Sequence, residues 1–189
     1  MGGTKLAVVF LMAATALASE PWMLATDCLN VHLEGSNGIP LETLQASERT
    51  VVSIYRDIGI PVRFSGAGGR SSDAECVALN LTFVTDVPNE FHPGALAYAR
   101  PFLDEGRQIE IFSGRILHGP GHNDGGILGH VMAHEIAHVL EGMDRHSSEG
   151  VMKPRWTSRD YARMAVRPLE FTPMDADLIH QGLAKRAGN

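Results

Sequence analysis

Positive charge is in short supply: 16 Lys and Arg stand against 22 Asp and Glu, the formal net charge is −6, and no basic run occurs. Neither nucleic acid nor an anionic membrane surface is therefore an expected partner. Long apolar runs are missing beyond the first eighteen residues, so no later segment can insert stably in a bilayer. The glycine-rich stretch Ser65–Ser72 lacks the Gly-Lys-Ser/Thr ending of a phosphate-binding loop, and no Asp-x-Asp-x-Asp-Gly stretch is present to hold calcium. Aromatic residues make up 6% of the chain, and internal repeats and long low-complexity segments are absent, which leaves the substrate class open. Two cysteines, Cys28 and Cys76, allow one disulfide at most.

What is present begins with a leader. Lys5 precedes an apolar run from Leu6 to Ala18, and Ala16-Leu17-Ala18 forms a small-x-small cleavage site before Ser19. The run is too short for a comfortable membrane span, so residues 1–18 read as a secretory signal and the mature protein as extracellular or periplasmic. The remaining 171 residues, 189 less 18, carry a charge of −7 without Lys5 and suffice for one domain, 19–189, with its own core. A monomer is expected. In an oxidising compartment Cys28 and Cys76 are expected to pair, tying the start of the first strand to the loop before a later one and contributing about 4 kcal/mol.

The chemistry concentrates between His134 and Met152, in HEIAHVLEGMDRHSSEGVM. At 3.6 residues per turn, His134 and His138 lie one above the other, close enough for both rings to reach one zinc ion. Glu135 lies beside them, where its carboxylate can act as general base toward a water activated by the metal. A helix from about Ile127 to Glu141 would put Leu128, Met132, Ile136 and Val139 on the face opposite the histidines, leaving the histidine side to line a cleft. A catalytic zinc site normally takes three protein ligands. Gly142 ends the helix and turns the chain back, and two residues compete for the third place: Asp144, six residues after His138, and His146, four residues after the glycine. Neutral imidazole is the commoner ligand, which favours His146.

This stretch resembles the metzincin clan of zinc metallopeptidases, matrixins among them, whose motif is His-Glu-x-x-His-x-x-Gly-x-x-His followed by a methionine turn. Met152, six residues after His146, is similar to that turn methionine. Gly129-His130-Val131-Met132 leading into HEIAHVLEG, then His146-Ser147, Gly150-Val151-Met152 and Trp156, more closely resembles a group of small secreted bacterial proteins. Those carry His-Glu-x-x-His-x-x-x-Gly-x-x-x-His-Ser, with the same longer spacings. The resemblance covers about residues 125–156 and departs from the common clan pattern in its glycine and third-ligand spacing and in having no tyrosine shortly after Met152. It implies a mixed α+β (α/β) zincin-like domain: a twisted sheet of about five strands with an antiparallel edge strand, a catalytic helix and a C-terminal helix. It also implies Zn²⁺ on His134, His138 and His146, with Met152 supporting the metal floor.

The rest of the chain fits that order. Leu29–Leu33 is a candidate first strand, in which His32 is a cross-strand polar residue. Gly38-Ile39-Pro40 opens a helix carrying Leu41, Leu44, Val51, Val52, Tyr55 and Ile58 as core stripe, and Gly59 stops it. Ile60–Phe64 and Val77–Phe83 alternate as strands. Gly94–Ala99, between Pro88 and Pro101, reads as an edge strand that the resemblance makes a candidate for peptide substrate by strand addition; a plain edge blunted by prolines is the alternative. Ile109–Phe112 is the last strand, and Gly114–Gly126 is a loop delivering the chain to the catalytic helix. His118, His122 and His130 are read as solvent-facing or supporting histidines, not as ligands of a second metal. Pro154 and Trp156 are expected to pack under the site, residues 157–170 show no assignable pattern, and Thr172, Pro173 and Asp175 start a helix burying Leu178, Ile179 and Leu183.

Three functions compete on this evidence. A secreted zinc endopeptidase uses every feature of the motif. A zinc-binding protein that holds a peptide or partner without cutting it has no use for Glu135. A zinc amidohydrolase acting on another bond would share the mechanism, because the motif defines chemistry more firmly than substrate.

Overall fold

The computed structural model describes residues 28–66, 76–85, 96–99, 108–117 and 122–187; the expected leader at 1–18, most of the glycine-rich stretch, the prolines flanking the edge strand and His118 lie outside them. Alternating apolar residues build the sheet. In β1 (Leu29–Glu34) Leu29, Val31 and Leu33 are buried. Running parallel to it on either side are β2 (Val62–Gly66) and β3 (Val77–Val84), in a register that sets Val31 beside Phe64 and Leu79. All three side chains thus share the core face. The antiparallel strand β4 (Ala97–Ala99) pairs with β5 (Gln108–Phe112), which runs parallel to β3, so the order is β2-β1-β3-β5-β4. On the opposite face His32 Nδ1 meets Ser65 Oγ of its register partner at 2.5 Å, a cross-strand polar pair. A disulfide joins Cys28 and Cys76 at the heads of β1 and β3.

Among the described residues five α-helices accompany the sheet. Helix α1 (Leu41–Arg56) buries Ser47, Val51, Ile54 and Tyr55. Leu41 does not join that stripe; at the first turn it is 67% exposed. Ser47 is tolerated inside because its hydroxyl bonds back to the Leu44 carbonyl at 2.7 Å. The segment expected to be a loop before the catalytic helix opens with a short helix, α2 (Ser113–Ile116). The helix that carries His134 and His138, α3 (Asp124–Glu141), begins three residues earlier than its apolar periodicity indicates. Helix α4 (Ser158–Met164) occupies the stretch with no assignable pattern. Its start is a reciprocal cap between Thr157 and Asp160, a Thr-x-x-Asp signal that no apolar period accompanies.

Helix α5 (Pro173–Ala187) starts as its sequence indicates: Thr172 N–H donates to Asp175 Oδ2 at 2.9 Å and Asp175 N–H to Thr172 Oγ1 at 3.2 Å. It then crosses the end of α3 so closely that a β-carbon at Gly182 would overlap the Leu140 carbonyl oxygen. At the same crossing the Arg186 guanidinium donates to the carbonyls of Leu140, at 2.8 Å, and Val139. Terminal carbonyls that the helix cannot satisfy internally are thereby met. Among the described residues no helix is long and apolar enough to cross a membrane.

Gly182→Ala is expected to push α5 off α3 and destabilise the protein by about 2 kcal/mol or more, since the obstacle is backbone and cannot rotate away. Urea unfolding checks this; a change within about 0.5 kcal/mol would mean that the helices separate without cost.

Candidate metal centre

Helix α3 is buried on almost every side, not only along the stripe of Leu128, Met132, Ile136 and Val139. His134 and His138 retain 9% and 7% exposure. Their Nδ1 atoms face backbone carbonyls, Val151 at 2.9 Å for His134 and Met143 at 3.2 Å for His138. A carbonyl only accepts, so each Nδ1 carries the proton and each Nε2 presents a lone pair. Those two Nε2 atoms are 3.0 Å apart. Two lone pairs facing each other without a proton between them repel; a cation held by both removes the repulsion.

The chain after α3 completes the cluster. Gly142 adopts a left-handed conformation, φ 65°, and its N–H bonds to the His138 carbonyl at 3.0 Å, so the helix stops there and the chain doubles back. His146 arrives with its ring 5.3 Å from that of His134 and 5.0 Å from that of His138. One nitrogen of each of the three rings lies within 4.8 Å of the others, a spread that one ion can bridge. Asp144 is not in that group; its charge acts on Glu135 and His138 from beside it. Burial, followed by the other imidazoles, holds His134 down at about 3 and lowers His138, so both rings stay neutral, the form that binds metal. These residues suit zinc.

Glu135 points toward the edge strand. Burial pushes its carboxyl up to about 8, the Asp144 carboxylate adds to the rise, and a hydrogen bond from the Ala99 backbone opposes it. A carboxylate on this helix therefore reaches β4. Met152 is fully buried, and its carbonyl accepts the Ser147 N–H at 2.7 Å, closing the turn whose Val151 carbonyl meets His134. Trp156 packs here as expected, its ring 5.9 Å from that of His134, whereas Pro154 is exposed and supports nothing. Lys153, next to Met152, is fastened to α4 by Asp160 at 2.5 Å.

The other histidines separate. His130 is not solvent-facing: it is fully buried, its Nδ1 donates to the Gly126 carbonyl at 2.6 Å, and its Nε2 accepts the Leu169 N–H at 2.8 Å. With both nitrogens engaged it is a structural tie between α3 and the segment before α5. His122 is exposed, ahead of α3. A further group escaped sequence reasoning: Arg145, Ser147 and Asp175 bond to one another, with Glu141 3.5 Å from Arg145. The Thr172–Asp175 cap signalled that a helix begins there, but nothing in its spacing connects Asp175 to a turn some thirty residues earlier.

No protein-family profile matches the chain, and a search of curated proteins finds no match. Among solved structures the fold is similar to an archaemetzincin from Methanopyrus kandleri, with a TM-score of 0.55 and 15% identity, covering 85% of this chain and 97% of that one. At that identity the likeness is one of fold. The described residues form a mixed α/β fold similar to that structure's, and three of their imidazoles are placed so that one metal ion could be held between them.

His130→Ala leaves the buried Leu169 N–H without its acceptor and is expected to cost about 1–3 kcal/mol while leaving zinc stoichiometry unchanged; metal analysis beside urea unfolding checks both, and lost zinc would make His130 a ligand. Asp160 is held at about 2, against an ordinary 3.8, by Lys153 first and then by the Thr157 backbone. A depressed carboxyl contributes stability above its unfolded value and loses it as pH falls from about 4 to about 2. The stability gap between wild type and Asp160→Asn should therefore be present at pH 6 and shrink toward pH 2 in urea unfolding at each pH; a gap independent of pH would contradict this.

Proposed function

We propose that this protein is a secreted zinc-dependent endopeptidase. The observation that carries the reading is the convergence of three imidazoles on one point with a half-buried glutamate beside two of them. His134, His138 and His146 hold the ion. When bound, zinc supplies Lewis acidity, lowering the pKa of a water to around 7 and polarising the scissile carbonyl. Glu135 takes the proton from the attacking water and returns it to the leaving amine. Its raised affinity for a proton, caused by burial, suits a group that must accept one and pass it on.

Substrate placement follows from the sheet. The strand β4 is last in the sheet order and is joined to Glu135 through the Ala99 backbone. A peptide added along its outer edge would run past the glutamate and the imidazoles, which favours an extended peptide chain as substrate. The leader at 1–18 and the Cys28–Cys76 disulfide both support export.

The test is zinc content and casein hydrolysis of the wild type beside Glu135→Ala and His146→Ala. The wild type should hold about one zinc and cleave. Glu135→Ala should keep the metal and lose about 10²–10⁴ in kcat, while His146→Ala should lose the metal. If wild type and Glu135→Ala bind zinc equally and neither cleaves, the protein binds without cutting; zinc retained by His146→Ala would move the third ligand to Asp144.

A further inference from the structure

His134 and His138 each have a backbone carbonyl that orients the ring through Nδ1, whereas the ring of His146 has no hydrogen bond among the described residues. His146 is also the exposed member of the cluster. Its two sequence neighbours are held instead. Arg145 Nη1 donates to Asp175 Oδ1 at 2.7 Å, and Ser147 Oγ donates to the same oxygen at 2.6 Å. Arg145 Nη2 also donates to Ser147 Oγ at 2.9 Å. The residues before and after His146 thus close a ring on one carboxylate oxygen.

That carboxylate is itself immobile. The Asp175 side chain is fully buried, its Oδ2 accepts the Thr172 N–H, and it stands in the first turn of α5, which is packed against α3 at Gly182. Glu141, also fully buried, lies 3.5 Å from Arg145 Nη1 and ties the same guanidinium to the helix that carries the other two imidazoles. A chain clamped on both sides of one residue fixes the backbone there, and with it the direction in which that residue's Cα–Cβ bond leaves the turn, so that only the side-chain torsions remain to be set.

We infer that Arg145 and Ser147, anchored on Asp175, are positioning residues that hold His146 in the metal-binding cluster in place of the ring hydrogen bond it lacks. The inference rests on the reading of His146 as a metal ligand. Groups that orient a metal ligand typically matter by about 10–100-fold in affinity. Arg145→Ala would strand two buried carboxylates and risk unfolding, so milder variants are used. Arg145→Lys keeps the charge but cannot serve Asp175 and Ser147 with two nitrogens of one fork, and Ser147→Ala removes the 2.6 Å bond without stranding a charge.

The experiment measures zinc affinity of the full chain by chelator competition, and the visible absorption of the cobalt-substituted protein, whose intensity reports coordination number and geometry. Arg145→Lys and Ser147→Ala should each lose about tenfold in zinc affinity and show an altered cobalt spectrum, which a purely structural role would leave alone. An affinity within about threefold of wild type, or a weaker affinity with an unaltered spectrum, overturns the inference. His146→Ala is measured alongside. If it alone loses affinity and changes the spectrum, the positioning role fails and the ligand stands; if it too is unchanged, the ligand reading falls and takes the positioning role with it.

Discussion

Two backbone carbonyls govern the centre of this molecule. The oxygens of Met143 and Val151 put the protons of His138 and His134 on Nδ1 and turn both Nε2 lone pairs toward one point. Both carbonyls belong to the chain that follows α3, so the helix alone cannot set the imidazole tautomers. The reversal at Gly142 and the turn around Met152 must also be in place. Val151 is held in turn, its N–H donating to the Glu170 carbonyl at 3.0 Å, which brings the segment ahead of α5 under the same constraint.

Holding polar side chains in a buried helix requires support from every neighbour. Tyr55 of α1 donates its hydroxyl to the Ala133 carbonyl at 3.0 Å, one residue before His134, and its ring meets Phe171 edge-on at 5.2 Å. Burial and the nearby Glu141 carboxylate keep that phenol protonated, so the tie persists. His130 reaches the Leu169 backbone from the same helix, and α5 closes over its end. Burial in this surround has a chemical consequence: His134 and His138 stay neutral, and Glu135 beside them keeps a high proton affinity.

Much of this was legible in the chain. The strands of the core alternate cleanly, so β1, β3 and β5 could be read within a residue or two. The pair His134 and His138 follows from helical spacing alone, as does the position of Glu135. Other parts were not. Leu41 satisfies the apolar period of α1 but lies at its exposed first turn, because periodicity says which face a residue shares and not whether the neighbouring element extends that far. Helix α4 is short and capped by polar residues, so hydrophobic spacing was silent while Thr157 and Asp160 carried the signal. His130 has the sequence look of a spare ligand; only the approach of the Leu169 backbone shows that its second nitrogen is already taken.

The sequence by itself determined the local geometry of the helix that carries His134 and His138, the turn that ends it and the chemistry available there, because helical periodicity and glycine's backbone freedom act over a few residues. Tertiary structure alone brings the ring of His146, and not Asp144, into the group of three that could share one ion. Asp144 and His146 lie two residues apart on one turn; the position of Gly142 and the preference for imidazole favour His146, but neither carries its ring to the other two. The choice depends on how the turn is held, through Asp175 on a helix some thirty residues downstream, and contacts at that separation arise only when the sheet, α3 and α5 are packed together.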